Sequence, residues 1–388
     1  MKLHEKPKMP EGFMCTGINC GIKETGMDLS LFHSKVRANA AAVFTQSLFP
    51  GAPVILGRRI IRGGFLRSII VNSRVSNVGT GEEGVRNAQR MAAAVAKEMN
   101  VTETEVIMSS TGVIATPLPI EKIEAGIVGI AAKLTDDPLI GARGIMTTDT
   151  YPKAISLPVG DATVTIIGKG SGMIEPNMAT MLVYIFTDAA VETADLDAML
   201  RKSVDKSFNM LSVDTDTSTS DTCIAMANGL AGSVDRQLFQ KTLDFGCITM
   251  AKMLARDGEG ATKLLTAKIE GANNREQARY IAKALINSPL IKTMAYGADP
   301  NIGRILMALG KCFHCDIRPE RVEISINGSM VYKDQQRMDF DEAKVRALLT
   351  GDHVEILVCL GCGDHKATAY GCDLTQGYIE ENASYYSS

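Results

Sequence analysis

A chain of 388 residues exceeds what one hydrophobic core usually fills, so two or three packed subdomains are expected. With 45% hydrophobic residues, 22% charged residues and a net charge of −3, the composition is that of a globular protein, and the lack of a basic stripe excludes a polyanion-binding surface. No apolar run approaches the roughly 20 residues that span a bilayer. The charged start Met-Lys-Leu-His-Glu-Lys-Pro-Lys has no apolar stretch after it, so a cytoplasmic address is expected.

In chain order, the first elements read as β-rich. Asp28-Leu-Ser-Leu-Phe, Ala41-Ala-Val-Phe-Thr, Pro53-Val-Ile-Leu and Ser68-Ile-Ile-Val-Asn-Ser all carry strand signals, with 57–64 as a turn or short helix. Residues 82–99 place Val85, Ala88, Met91, Ala92, Val95 and Met99 at helical spacing. The run 105–114 is a strand ending at the hydroxyl-rich turn Ser109-Ser-Thr-Gly112, where Thr111 and Gly112 could aim a hydroxyl and an N–H at a developing oxyanion; taken by itself, a capped glycine turn is the plainer reading. A helix over 120–134 and a strand edge over 145–150 follow.

Gly168-Lys-Gly-Ser-Gly leads through Ala179-Thr180 into the apolar run 181–186, which has the composition of a buried strand. A threonine hydroxyl without a neighbouring histidine is a poor nucleophile, but a chain cut before Thr180 would supply an α-amine. That amine titrates at about 7.7 to 8.0 and can serve as base for its own side chain. A plain turn before a strand is the structural reading. A P-loop is excluded, because Lys169 is not followed by Ser or Thr.

Farther on, helices are expected near 196–204, over 237–256 and over 275–287, and 214–222 reads as a polar loop. Asp214, Asp216 and Asp221 lack the register of a calcium loop. Glu259 sits between Gly258 and Gly260 on a tight turn, ordinarily a solvated position, before a strand over 263–269. Asn327-Gly328 marks a hairpin, and a helix over 340–349 and a strand over 354–360 follow. Nine cysteines without an export signal read as reduced thiols. The spacings Cys312-x-x-Cys315 and Cys359-x-x-Cys362, near His314, His353 and His365, could supply a structural zinc, against which each pair could simply be small buried residues of apolar elements.

Many ordered blocks resemble one family, the ornithine acetyltransferases or bifunctional glutamate N-acetyltransferases of arginine biosynthesis. They include Ser110-Thr-Gly-Val-Ile, Ile145-Met-Thr-Thr-Asp-Thr, Lys169-Gly-Ser-Gly-Met-Ile-Glu-Pro-Asn-Met-Ala-Thr180, Asp216-Thr-Ser-Thr, Asp257-Gly-Glu-Gly-Ala, Asp299-Pro-Asn and Tyr370-Gly-Cys-Asp-Leu-Thr. The resemblance implies an α/β fold, an N-terminal-nucleophile-like layered sandwich of helices and sheets. It implies self-cleavage into an α chain, 1–179, and a β chain, 180–388, with about 285–388 as a smaller C-terminal α/β subdomain. Cleavage would fall between Ala179 and Thr180. Thr180 would then carry acetyl from N2-acetylornithine to glutamate, with Thr111 and Gly112 as oxyanion hole. Lys169 would meet the amino acid's α-carboxylate and Glu259 its side-chain amine, while Thr148, Asn382 and Ser387 complete the pocket.

No cofactor is implied; acetyl-CoA is an additional co-substrate the resemblance allows. The partners implied are small molecules, with the α chain held to the β chain and a dimer of that pair, and neither nucleic acid nor membrane. Departures from the family pattern fall at Ala115 and Thr215, where it usually has Gly, at Ile302, where it usually has Trp, at Ser220, where it usually has Asn, and in the run Asn72-Ser-Arg-Val-Ser-Asn, which replaces a glycine- and asparagine-containing one. None removes a catalytic group. Rival readings are a related self-cleaving aminopeptidase using the same Thr180, and a zinc-stabilised binding protein built on the two Cys pairs.

Overall fold

The computed structural model describes residues 1–175 and 181–383; Ala179, Thr180 and Ser387 lie outside them. The described residues form two units. One holds Met1–Gly170, 181–209 and Thr217–Met250, the other Ser171–Glu175, Met210–Asp216 and 251–383.

The first unit comprises β1 (Phe13–Ile18), β2 (Leu29–Phe44), α1 (Ala52–Ile60), β3 (Phe65–Asn72), α2 (Gly81–Met99), β4 (Val106–Ser110), α3 (Ile120–Ile127), α4 (Pro138–Ile145), β5 (Lys153–Val159), β6 (Ala162–Lys169), β7 (Leu182–Ala190), α5 (Thr193–Lys206), β8 (Thr222–Ser233) and α6 (Arg236–Arg256), the last of which passes into the second unit at Ala251. Its sheet runs β4-β3-β2-β8-β7-β6-β5, with β1 paired to β2. β3 and β4 are parallel, as are β7 and β8; β2 meets β8, and β6 meets β7, antiparallel.

Strand alternation sends side chains to both faces, and both faces are covered. Ile70 and Met108 join Ala88, Met91 and Val95 of α2 and Ile123 of α3. Ile69, Val71 and Ile107 point the other way, to Phe32, Tyr184, Phe186 and Ala142 of α4. There Phe13 lies 5.3 Å from Phe186, and Phe32 5.3 Å from Tyr184, ring to ring. Each such buried ring contributes about 1.5–3 kcal/mol. This is the layered α/β architecture the sequence points to.

Three local expectations change. Residues 53–56, read as a strand, belong to α1: Pro53 lies in the first turn, where a missing N–H costs nothing, and four consecutive apolar residues fit either period. The run 145–150, read as a strand edge, is the end of α4 followed by an irregular segment. The helix read over 120–134 stops after α3, because Gly129 turns left-handed at φ 74°, and resumes only as a 3-10 turn, Ile130–Lys133.

The second unit comprises β9 (Leu264–Ala272), α7 (Arg275–Ile286), α8 (Pro289–Tyr296), α9 (Ile302–Gly310), β10 (Glu323–Ile326), β11 (Ser329–Lys333), β12 (Gln336–Arg337), α10 (Glu342–Leu349), β13 (His353–Cys359), β14 (His365–Cys372) and α11 (Gln376–Asn382). The sheet order is β12-β11-β10-β13-β9-β14, with β13 and β9 parallel. Leu265, Ala267 and Ile269 of β9 and Val354, Ile356 and Val358 of β13 share one core with α7, α8 and α9. The β10–β11 hairpin turns through Asn327 at φ 45° and Gly328 at φ 79°, as a type I′ turn requires. Among the described residues no helix is long and apolar enough to cross a membrane.

Candidate active site

At the C-terminal end of β4 the chain turns against the segment that follows β3. The Thr111 N–H donates to the Asn72 carbonyl (3.1 Å) and the Val113 N–H to the Arg74 carbonyl (2.9 Å). Asn72 also accepts from the Ser110 hydroxyl (2.5 Å) and donates to the Val75 carbonyl (2.8 Å). Gly112, between these anchors, has φ 128°, and a Cβ there would overlap the Arg74 backbone. Only glycine fits. Among the described residues the Gly112 N–H donates to no protein acceptor.

The Thr111 hydroxyl accepts from the Lys169 ammonium (3.1 Å), at the end of β6. An oxygen engaged that way directs its own proton elsewhere. The turn therefore offers two donors, the Gly112 amide and the Thr111 hydroxyl, of the kind that stabilise an oxyanion.

Lys169 is buried, and its ammonium also donates to the Thr147 hydroxyl (2.8 Å). Beneath it lies Asp149, whose carboxylate accepts from the Lys153 ammonium (2.7 Å), the Gly170 N–H (2.8 Å) and the Thr147 N–H (3.1 Å). Burial works against the Asp149 charge, but the Lys153 and Lys169 ammoniums outweigh it and hold its carboxyl below the usual range. Nearby Lys23 donates to the Met146 carbonyl (2.7 Å); burial lowers its pKa, against the attraction of Asp28. Lysines thus outnumber carboxylates around Lys169, which favours an anionic group there.

Glu259 belongs to the second unit. Its N–H donates to the Ser171 carbonyl (3.0 Å), the Ser171 hydroxyl donates to the Asp257 carbonyl (2.6 Å), and a Cβ at Gly172 would occupy the position of the Glu259 carboxylate. Asn382, near the end of α11, donates to that carboxylate (2.8 Å). The start of α11 sits on the same turn, since Thr375 donates to the Gly260 carbonyl (2.6 Å) and a Cβ at Gly260 would overlap the backbone at 377–378.

Of the expected residues, Lys169 and Thr111 are in contact with Gly112 adjoining, and Glu259 and Asn382 are in contact. Thr148 is half-buried beside Thr147. The sequence reading did not single out Thr147 or Asp149, although both lie in the block Ile145-Met-Thr-Thr-Asp-Thr that carried the resemblance. The Cys pairs go elsewhere: the Cys312 thiol donates to the Ala308 carbonyl (3.4 Å) and the Cys362 thiol to the Leu360 carbonyl (3.3 Å); Cys312, Cys315 and Cys362 pack on the second unit's core, while Cys359 alternates to the opposite face of β13 from Val354, Ile356 and Val358. Among the described residues no three His, Cys, Asp or Glu side chains are grouped as a metal site requires.

Two such donors beside a buried cation suit the chemistry of acyl transfer. The particular family follows from comparison. Residues 14–387 match the model of the ArgJ family. The "Arginine biosynthesis bifunctional protein ArgJ 2" of Clostridium acetobutylicum is 46% identical over 383 residues, covering 98% of each chain. The "Glutamate N-acetyltransferase Oat2" of Streptomyces clavuligerus is 42% identical over 386 residues, again 98% of each. A crystal structure of the ArgJ protein of Bacillus halodurans superposes with a TM-score of 0.50 at 38% identity, over 52% of this chain and 97% of that one. The chain belongs to the ArgJ family, the ornithine acetyltransferases and bifunctional glutamate N-acetyltransferases of arginine biosynthesis, and the resemblance read in the sequence is borne out.

Proposed function

We propose that the protein cleaves itself between Ala179 and Thr180 and then moves acetyl from N2-acetylornithine to glutamate through an acetyl-Thr180 ester. The observation that carries this reading is the Thr111–Gly112 turn with Lys169 bonded to its hydroxyl, at the end of the strand that leads toward the cleavage junction. The solved Bacillus halodurans chain supports cleavage, because 97% of it corresponds to only 52% of this chain.

In cleavage, the Thr180 hydroxyl attacks the Ala179 carbonyl, the peptide nitrogen leaves as the new α-amine, and water hydrolyses the ester. In transfer, that amine takes the Thr180 hydroxyl proton as the oxygen attacks the acetyl carbonyl of N2-acetylornithine. The Gly112 N–H and Thr111 hydroxyl hold the oxyanion. Ornithine's α-nitrogen leaves with the proton, and glutamate's amine attacks the acetyl ester in a second, mirrored step. Lys169 receives the α-carboxylate and Glu259 the side-chain ammonium of ornithine, with Thr148, Asn382 and Ser387 completing the pocket. The α and β chains stay together, and two such pairs assemble.

Intact mass and N-terminal sequencing test the first half: two pieces, the smaller-numbered ending at Ala179 and the other starting at Thr180. Thr180→Ala should remain one chain without transferase activity, and an alanine variant that still splits would refute the assignment. Incubation with N2-acetylornithine should leave the β chain heavier by one acetyl group, while hydrolysis of small peptides instead would favour the aminopeptidase. Assaying N2-acetylornithine and acetyl-CoA separately as donors to glutamate distinguishes the monofunctional from the bifunctional form.

A further inference from the structure

Ser171–Glu175 is the last described segment before the proposed cleavage junction, and it is bound more tightly than a connector needs to be. The Met173 and Ile174 N–H groups donate to the two carboxylate oxygens of Asp214, at 2.6 and 2.7 Å. The Ile174 carbonyl accepts from Val213 N–H (2.7 Å), and the Glu175 N–H donates to the Asp216 carbonyl (2.8 Å). The Glu175 carboxylate is held in turn by Lys283 (2.9 Å) and Asn287 (2.7 Å).

Met173 has φ 54°, a left-handed conformation that a side chain opposes. Consecutive amides in such a bend form an anion-binding nest, and here the anion is the protein's own Asp214. The same carboxylate lies 3.4 Å from the Tyr378 hydroxyl of α11, the helix that brings Asn382 to Glu259.

We propose that Asp214 is a positioning residue for self-cleavage: its carboxylate holds Ser171–Glu175 in a bend that is left-handed at Met173 and so restrains the chain upstream of the Ala179–Thr180 bond. This rests on the cleavage reading above. Attack by a side chain on its own preceding carbonyl needs an uncommon backbone geometry, and fixing one flank removes conformations that would otherwise have to be searched. Glu175 stands only four residues before Ala179, so the restraint is close to the bond it serves.

The test follows cleavage over time by intact mass in full-length chains. Asp214→Ala and Asp214→Asn should slow it by about 10- to 100-fold, the loss of one or two charge-assisted hydrogen bonds. Asp216→Asn should cleave at the wild-type rate, because its contact is made by the main-chain carbonyl. Met173→Gly should speed the Asp214→Asn chain by about 5- to 30-fold, since glycine adopts the bend without the carboxylate. Met173 is 43% exposed and belongs to none of the buried core clusters, so glycine there leaves the cores intact.

Wild-type cleavage with equally fast Asp214→Ala cleavage overturns the proposal and leaves the cleavage reading standing. So does a slow Asp214→Asn chain that Met173→Gly fails to speed, which would mean a general loss of fold. A wild-type chain that stays intact refutes both.

Discussion

Thr111 and Gly112 carry one outward donor each, and the two are separable by substitution. Thr111→Ala should lower kcat about 10²- to 10³-fold with little change in melting temperature, because the Thr111 anchor to Asn72 is made by its backbone. An unaltered kcat would remove the hydroxyl from the oxyanion hole. Two non-glycine residues also carry a physical cost at this scale. Ala115 and Thr215 both lie at left-handed backbone, φ 61° and 71°. Relieving such a conformation gains about 1–2 kcal/mol, while glycine's unfolded-state freedom returns about 0.4–1. Ala115→Gly and Thr215→Gly should therefore each stabilise by up to about 1.6 kcal/mol, read as a raised denaturant midpoint; a lowered midpoint would contradict this. His33, buried against Ser68 Oγ (2.9 Å), adds a pH dependence: burial, with Arg67 beside it, lowers its pKa from 6.5 to about 4. Between these values the unfolded chain takes up a proton that the folded chain refuses, so stability is lost as pH falls from 6.5 toward about 4. His33→Gln should flatten that part of the stability curve.

Among the elements, the β5–β6 hairpin and the segment before it are the least expected part of the site. Lys153 and Asp149 form an ion pair with both side chains fully buried. Breaking one partner of such a pair costs about 3–5 kcal/mol, while replacing both charges with neutral groups is often tolerated. Asp149→Asn should accordingly destabilise strongly, and Asp149→Asn with Lys153→Met should recover most of the loss; equal melting temperatures for the single and double variants would show that the pair is not what holds the segment. The elements themselves were unevenly legible. Helix α2 and the Asn327-Gly328 hairpin could be read directly, because six spaced apolar residues and an obligate turn pair leave one solution. Residues 53–56 could not, since an apolar tetrad fits strand and helix equally and the caps that decide lie outside it. Asp149 is not legible in the sequence, because a lone aspartate in a Thr-rich run looks like solvated surface until the fold brings Lys169 to it.

For the molecule as a whole, the sheet order of the first unit decides what cleavage would do. β7 and β8, from beyond the proposed cut, lie between β2 and β6, from before it. Lys169 opposite Leu182 and Ala42 opposite Ile224 mark the two seams, each a ladder of backbone hydrogen bonds. Separating the pieces would expose four strand edges and both apolar faces. The cleaved chains should therefore coelute in native gel filtration and part only in denaturant, and 180–388 expressed without 1–179 should aggregate. Pieces that separate in plain buffer would contradict the interleaved sheet.

The sequence by itself determined the family, the layered α/β class and most candidate residues, because glycine turns, helical periodicity and ordered motif blocks act over a few residues and leave a local trace. Only the tertiary structure decided that Lys169 reaches Thr111 and Thr147, that its charge lies beside the buried Asp149, that Cys312 is buried in a core against which Cys315 and Cys362 pack, and that Asp214 clasps the bend at Met173. Those partners lie tens of residues apart in the chain. Their pairing depends on strand order and on the close backbone approaches that glycine permits, neither of which a local pattern records.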